Sequence, residues 1–240
     1  STVEFAALEH AVREDLNIIT PRVMAVVNPL KVVIENYPEG QVEWVDVPDY
    51  PQDRSDTRTR KVPFSRELYI EREDFAEHPP GKYRRMAPGK EVRLLAAYYV
   101  TTTDIIKDSA GSVVEIRASY DPESKGGQTP DGRKVRGTIH WVSADHAVDA
   151  ELRLYDILFS AEFPKDVPEG QDFTVNLNPD SLEVVMAKVE PALADVEPGS
   201  RFQFMRNAYF VADSVDHTPE HPVFNRTVTL RDSWAKVTKK

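Results

Sequence analysis

Residues 81–94 read GKYRRMAPGKEVRL and hold five cations, Lys82, Arg84, Arg85, Lys90 and Arg93, against a single acid, Glu91. Arginine carries donors in a planar fork that reads a base edge bidentately. Lysine is a point charge suited to phosphate, and a tyrosine face stacks on an unpaired base. Tyr83 lies inside the run, Tyr98 and Tyr99 follow it, and a second basic stretch, GRKVRG, occupies 132–137. The chemistry on offer is binding of a polyanion, RNA in particular. The setting is acidic, with a formal net charge of −10. Yet Arg54 to Arg93 contains eleven Lys/Arg against seven Asp/Glu, so that window is +4 and the remainder −14. Such asymmetry suggests one face specialised for a polyanion on a body that repels it elsewhere. The plainer reading is that alternate cations of an antiparallel strand face water, with Tyr98 and Tyr99 packed in a core.

Other chemistry has weaker support. His217 and His221 stand four apart, but Pro219 between them and Pro222 after them oppose the helix that would present both to a metal. His140, in TIHWV, and His146, in SADHA, read as satisfied structural residues. Ser143, Asp145 and His146 are too close in sequence to converge as a triad. APGK (87–90) and SKGGQ (124–128) lack the GxxxxGK[ST] frame, and no GxGxxG, HExxH, GxSxG or EF-hand loop occurs. With no cysteine there is no disulfide, thiolate zinc site or cysteine nucleophile. No catalytic residue and no metal ligand is nominated.

The elements that must position the basic face read as mainly β. The 240 residues, 40% hydrophobic and 29% charged, suffice to bury a core. No apolar run approaches the roughly 18 residues of a membrane span, and no basic-then-apolar leader is seen, which favours a cytoplasmic protein. The chain begins at Ser1 with an amphipathic pattern already running, so it reads as part of something longer. Phe5, Leu8, Val12 and Leu16 mark one face of a helix over 3–16, closed by Asn17 and Thr20-Pro21. After Pro21 the period shortens. About ten β-branched or aromatic runs, from VMAVVNP to VFNRTVTLRDSW and including KVRGTIHWV as one strand, are separated by turn signals. LEVVMAKVE reads as a strand followed by a short helix, and 121–134 as a flexible loop. No βαβ rhythm and no repeat of fixed period is visible, so the fold is a sandwich or barrel.

Several strings carry a resemblance. LEHAVREDLN with TPRVMAVVNPLKVVIENY, then RKVRGTIHWVSADHAVDAELRLYDILF, FQFMRNAYFVADS and PVFNRTVTLRDSWAK are similar to the C-terminal half of bacterial glutaminyl-tRNA synthetases, in order, from about residue 3 to 237. The resemblance implies the end of a helical connecting subdomain (1–20), then two antiparallel β-barrels (21–240) that grip the tRNA anticodon loop. The barrel nearer the catalytic side would be built from both ends of this segment, the other from its middle. By the same resemblance Arg22 and Gln203 read the middle anticodon base, Arg85 the third with Arg84 beside it, and Arg93 the first. Asn17 helps arrange the loop. Lys82, Gln52, Arg206, Arg231 and Ser233 are implied as supporting contacts. Departures are Arg84 for a lysine, Gln52 for an asparagine, Leu95 for an arginine and Lys82 for a common glutamine.

The implied partners are the anticodon stem-loop of tRNA(Gln) and an N-terminal catalytic domain, with no DNA and no membrane, in a monomer. The ATP and Mg²⁺ of tRNA charging belong to that catalytic domain, whose HIGH-like and KMSKS-like motifs are not among these residues. This segment carries no cofactor and is expected to be inactive alone. Alternatives are the anticodon barrels of a glutamyl-tRNA synthetase and, in another class, a non-enzymatic ribosomal-RNA-binding barrel.

Overall fold

The computed structural model describes residues 5–231. The expected helix is α1, Phe5–Ile19. It stops where the hydroxyl and amide of Thr20 both donate to the Leu16 carbonyl (2.6 and 3.0 Å) and Pro21 cannot extend the ladder. Only part of its apolar stripe is used. Leu16 is buried with Tyr209 and Val228, and Val12 packs beside them. Phe5 and Leu8 are exposed, because nothing among the described residues covers the first two turns.

In chain order the strands are β1 (Arg22–Val23), β2 (Ala25–Val26), β3 (Pro29–Ile34), β4 (Glu43–Pro48), β5 (Thr59–Phe64), β6 (Glu67–Glu71), β7 (Glu91–Leu94), β8 (Tyr99–Lys107), β9 (Val113–Asp121), β10 (Thr138–Ile139), β11 (Val142–Ser143), β12 (Val148–Tyr155), β13 (Leu182–Val189), β14 (Arg201–Phe204), β15 (Ala208–Ala212) and β16 (Val223–Thr229). The protein is mainly β, with two seven-stranded barrel-like sheets and the β4–β5 hairpin. The terminal sheet runs β1-β14-β15-β16-β12-β13-β2, the central sheet β10-β7-β8-β9-β3-β6-β11.

The two sheets share one pattern of pairings. Read in those orders, each goes parallel, antiparallel, antiparallel, parallel, antiparallel, antiparallel. In each, both edge strands belong to one short segment: β1 and β2 flank Met24, while β10 and β11 flank His140 and Trp141. A sheet whose two edges lie a residue or two apart in the chain must curl until those edges approach one another. Each closing segment then runs directly into the other sheet, β2 into β3 and β11 into β12. The barrels therefore close each other. KVRGTIHWV does not form one strand, because its two ends pair with opposite edges of the central sheet.

Each barrel has its own core. Trp141, Phe64, Tyr37 and Ile70 are among the side chains of the central one, and Phe204, Phe210, Phe224 and Leu152 fill the terminal one. Where the barrels meet, Arg60 on β5 donates to the buried Glu190 carboxylate (Nε–Oε2 2.5 Å, Nη2–Oε1 2.6 Å), which also accepts from the Met24 amide at 2.6 Å. LEVVMAKVE is a strand followed by one 3₁₀ turn, Pro191–Leu193. The 121–134 stretch is not a free loop. Its two short turns, which span Pro122–Gly127 with a kink at Lys125 and Gly126, lie along β8, with the buried Ser124 hydroxyl accepting from the Tyr99 amide (2.7 Å) and the Tyr99 hydroxyl donating to the Gly127 carbonyl (2.8 Å).

Candidate nucleic-acid interface

Parallel pairing of β1 with β14 sets Arg22 directly opposite Gln203. Their side chains face a cleft walled by Pro51, Leu95, Ile139, Met205 and Leu230 and edged by Thr138, His140 and Arg206. Arg22 Nη2 donates to Asn17 Oδ1 at 3.0 Å, the Tyr209 hydroxyl donates to the same oxygen at 3.3 Å, and Gln52 Nε2 donates to the Asn17 carbonyl at 3.3 Å. The end of α1 thus holds the arginine in place. Four atoms of this neighbourhood are buried without a partner: Arg22 Nε, Gln52 Oε1, Gln203 Oε1 and His140 Nδ1. Gln203 is 9% and His140 3% exposed. Orphaned buried polar atoms are costly, roughly 1–3 kcal/mol each, and cluster where a ligand completes the set. Apolar walls with polar edges suit a planar heterocycle. His140 is therefore not fully satisfied, contrary to expectation: Nε2 faces the Ala25 carbonyl at 2.9 Å, and Nδ1 has nothing.

The second cleft repeats the first. Parallel β10–β7 pairing sets Thr138 opposite Arg93, as β1–β14 sets Arg22 opposite Gln203. The Arg93 amide donates to Gly137 O (2.8 Å) and the Leu95 amide to Ile139 O (3.0 Å). Their counterparts are Gln203 to Pro21 (2.9 Å) and Met205 to Val23 (2.9 Å). The turns that follow hold Ala96 and Arg206 at φ +57° and +63°, a left-handed conformation uncommon for residues other than glycine. Arg93, Tyr99, Gly127 and the 132–136 strap line this cleft, and Arg136 is shared with a third, lined also by Lys82, Tyr83, Arg84, Lys90 and Gly137. Thr138 joins the first cleft to the second through a 2.9 Å bond from Arg93 Nε to its hydroxyl. These residues make the three clefts neighbours along one groove.

Which cations are free decides what the groove can bind. Among the described residues Arg22, Lys82, Arg84, Arg93, Lys134 and Arg136 form no ion pair, while Arg133 is held by Glu91, Asp121 and Asp131. Those carboxylates raise the Arg133 pKa, and the Thr129 side chain, the Arg133 amide and its guanidinium hold Asp131 at about 2. Arg85, at a bend in the chain, lies apart from the cleft that Arg84 lines. It lines a fourth cleft with Glu71, Glu73 and His140, lying 3.1 Å from the fully buried Asp74. Arg206 grips the same carboxylate with two 2.6 Å bonds, and this hydrogen bonding raises its pKa. Arg231 is exposed at the end of the described chain, and Ser233 lies outside the described residues.

Residues 20–121 match a family model described as tRNA synthetases class I (E and Q), anti-codon binding domain, and residues 138–213 match a second model of the same description. The chain belongs to this family. It is 52% identical to the glutamine–tRNA ligase of Pseudomonas putida over 233 residues, 97% of this chain and 41% of that protein. It is likewise 52% identical to the glutamine–tRNA ligases of Xanthomonas campestris, over 98% of the chain, and Nitrobacter hamburgensis, over 99%. The chain spans about two-fifths of the length of these curated relatives, 41% of each.

Four features of this anticodon-binding domain escape a reading of its letters. The SKGG run forms the platform of Arg93, since a Cβ on Gly127 would lie 2.5 Å from Arg93 Cδ. Gly137 rests against the Arg84 carbonyl. Asp74 joins Arg85 to Arg206. His140 belongs to the groove through its place between β10 and β11. Three other histidines serve locally. His217 packs on Phe224, His221 lies 3.5 Å from Glu151, and His146 bonds Ser143 at 2.8 Å, with Ser143 in turn 2.7 Å from Ser65.

Proposed function

We propose that the chain binds the anticodon stem-loop of tRNA(Gln), holding its unstacked bases in the separate clefts of this groove, as the recognition part of a glutamine–tRNA ligase. The observation that carries the reading is the Arg22–Gln203 cleft, where unsatisfied polar atoms edge an apolar slot beside Arg22, which forms no ion pair among the described residues. In this reading Arg22 and Gln203 take the middle base and Arg93 the first. Arg85 takes the third, exchanging part of its hold on Asp74 for the base. Arg84 and Lys82 meet the backbone beside it, Asn17 and Gln52 arrange the loop, and Arg206, Arg231 and Ser233 support the rim. Each arginine–base pair is worth roughly 1–3 kcal/mol of discrimination.

The parent enzyme, a cytoplasmic monomer in this reading, charges tRNA with glutamine in an N-terminal domain that uses ATP and Mg²⁺. The present segment binds and does not charge. A second reading, the anticodon barrels of a glutamyl-tRNA synthetase, draws on the E-and-Q description of the matching models. Titration with RNA hairpins bearing the glutamine or the glutamate anticodon separates the two. The expected result is at least tenfold preference for the glutamine loop, with affinity falling with salt at a log–log slope of about −2 to −3. Equal affinity for a hairpin of unrelated loop sequence would remove the function.

A further inference from the structure

Arg93 presents a puzzle of electrostatics. In an acidic protein it lies two residues from Glu91 and in line with Asp121 across the sheet through Tyr99, yet it forms no ion pair among the described residues, because Arg133 occupies both carboxylates. Three neutral groups surround it instead. Gly127 admits its Cδ, the Tyr99 hydroxyl fixes the Gly127 carbonyl, and Thr138 accepts from its Nε at 2.9 Å. A guanidinium held through Nε keeps both terminal nitrogens, and its full charge, for a ligand.

The repeat of the two barrels says which residue matters. Thr138 occupies in the central barrel the position that Arg22 occupies in the terminal one, on the closing strand and opposite the reader on the neighbouring strand. The terminal barrel thus presents two long polar side chains, and the central barrel one long and one short. A threonine there is too short to span the cleft beside Arg93, but its hydroxyl sets the torsions of the arginine. It also lines the Arg22–Gln203 cleft, so one hydroxyl stands between two neighbouring nucleotide clefts.

We propose that Thr138 is a positioning residue for nucleotide recognition, acting through Arg93 to fix the readout of the first anticodon base. The inference rests on the anticodon-loop reading above and adds a residue that the family resemblance did not supply. The test is titration of the 240-residue chain with the glutamine-anticodon hairpin and with hairpins changed at the first or the third anticodon base. Thr138→Val removes the hydroxyl at constant volume. It should weaken cognate binding about five- to tenfold, the net scale of one hydrogen bond, and flatten discrimination at the first base while leaving the third unchanged. Thr138→Ser should restore both. In an Arg93→Ala background Thr138→Val should cost nothing further, since a residue acting through Arg93 has nothing left to position.

Thr138→Val binding within twofold of wild type, Thr138→Ser as defective as Thr138→Val, or a full additional loss in the Arg93→Ala background would each overturn the proposal. Thermal unfolding of each variant separates misfolding from mispositioning, and a serine variant that folds normally but binds no better than valine counts against it. Failure of the wild-type chain to bind any of the hairpins overturns the anticodon reading along with this one, whereas normal wild-type discrimination with an indifferent Thr138 overturns this one alone.

Discussion

Arg22 and Gln203 sit opposite one another on parallel strands drawn from the two ends of the chain, and each keeps a buried polar atom without a partner. A cleft edged by such atoms is less stable than it could be, which makes stability and binding trade against one another here. Gln203→Met keeps the length and removes the orphaned carbonyl. Its expected outcome is a gain of about 1 kcal/mol in unfolding free energy with a loss of hairpin affinity of at least tenfold. Urea titration and fluorescence binding on the same sample check both signs.

Asp74 is fully buried, hydrogen-bonded twice to Arg206 and ion-paired with Arg85 at 3.1 Å. Asp74→Asn leaves two guanidinium groups facing a neutral amide. Because both arginines are partly exposed, the loss should fall near the low end for a broken buried pair, about 3 kcal/mol. Arg85→Ala should cost less than Arg206→Ala, since the two-bond grip survives. Chemical denaturation that ranks them the other way would contradict this geometry.

Gly137 packs its backbone against the Arg84 carbonyl, so a methyl group at 137 displaces the segment bearing Arg84. Gly137→Ala should lower the melting temperature and weaken binding through the Lys82–Arg84–Arg136 cleft. Gly81→Ala, where a Cβ meets nothing, is the control and should change neither. Calorimetry of the pair provides the comparison.

Asp213 accepts from the amides of Asp216 and Val215, each at 2.8 Å, and from Asn225 at 2.6 Å. These bonds, aided by Arg153, lower its pKa from 3.8 to about 2. A carboxylate depressed in the folded state contributes stability that is complete above its unfolded value. That contribution is lost as pH falls through the folded one. The melting temperature of the wild type should therefore fall between pH 4 and 2 more steeply than that of Asp213→Asn.

The strands and the end of the helix were legible because their signals are local. The β-branched run of KVVIENY and the Thr20-Pro21 stop need nothing from elsewhere in the chain. The exchange of closing segments was not legible. VMAV and TIHWV read as continuous strands, and nothing in their letters says that Met24 and the His140–Trp141 pair mark a switch between opposite sheet edges. Resemblance nominated Arg22, Gln203 and Arg93, but not their equivalence by fold, which appears only when β1–β14 is compared with β10–β7. Arg85 and Arg206 were readable as cations. That one buried aspartate holds both depends on the meeting of two barrels, a long-range fact that no window contains.

The central claim is that Arg22 and Gln203 together read the middle anticodon base. Its most direct measurement is the hairpin affinity ratio, cognate against middle-base variant, for wild type, Arg22→Ala, Gln203→Ala and the double variant. The account predicts a wild-type ratio of at least 30, reduced about tenfold or more by either single change, with the double no worse than the stronger single. A ratio that survives both substitutions, or that collapses only at the first or third base, would contradict it.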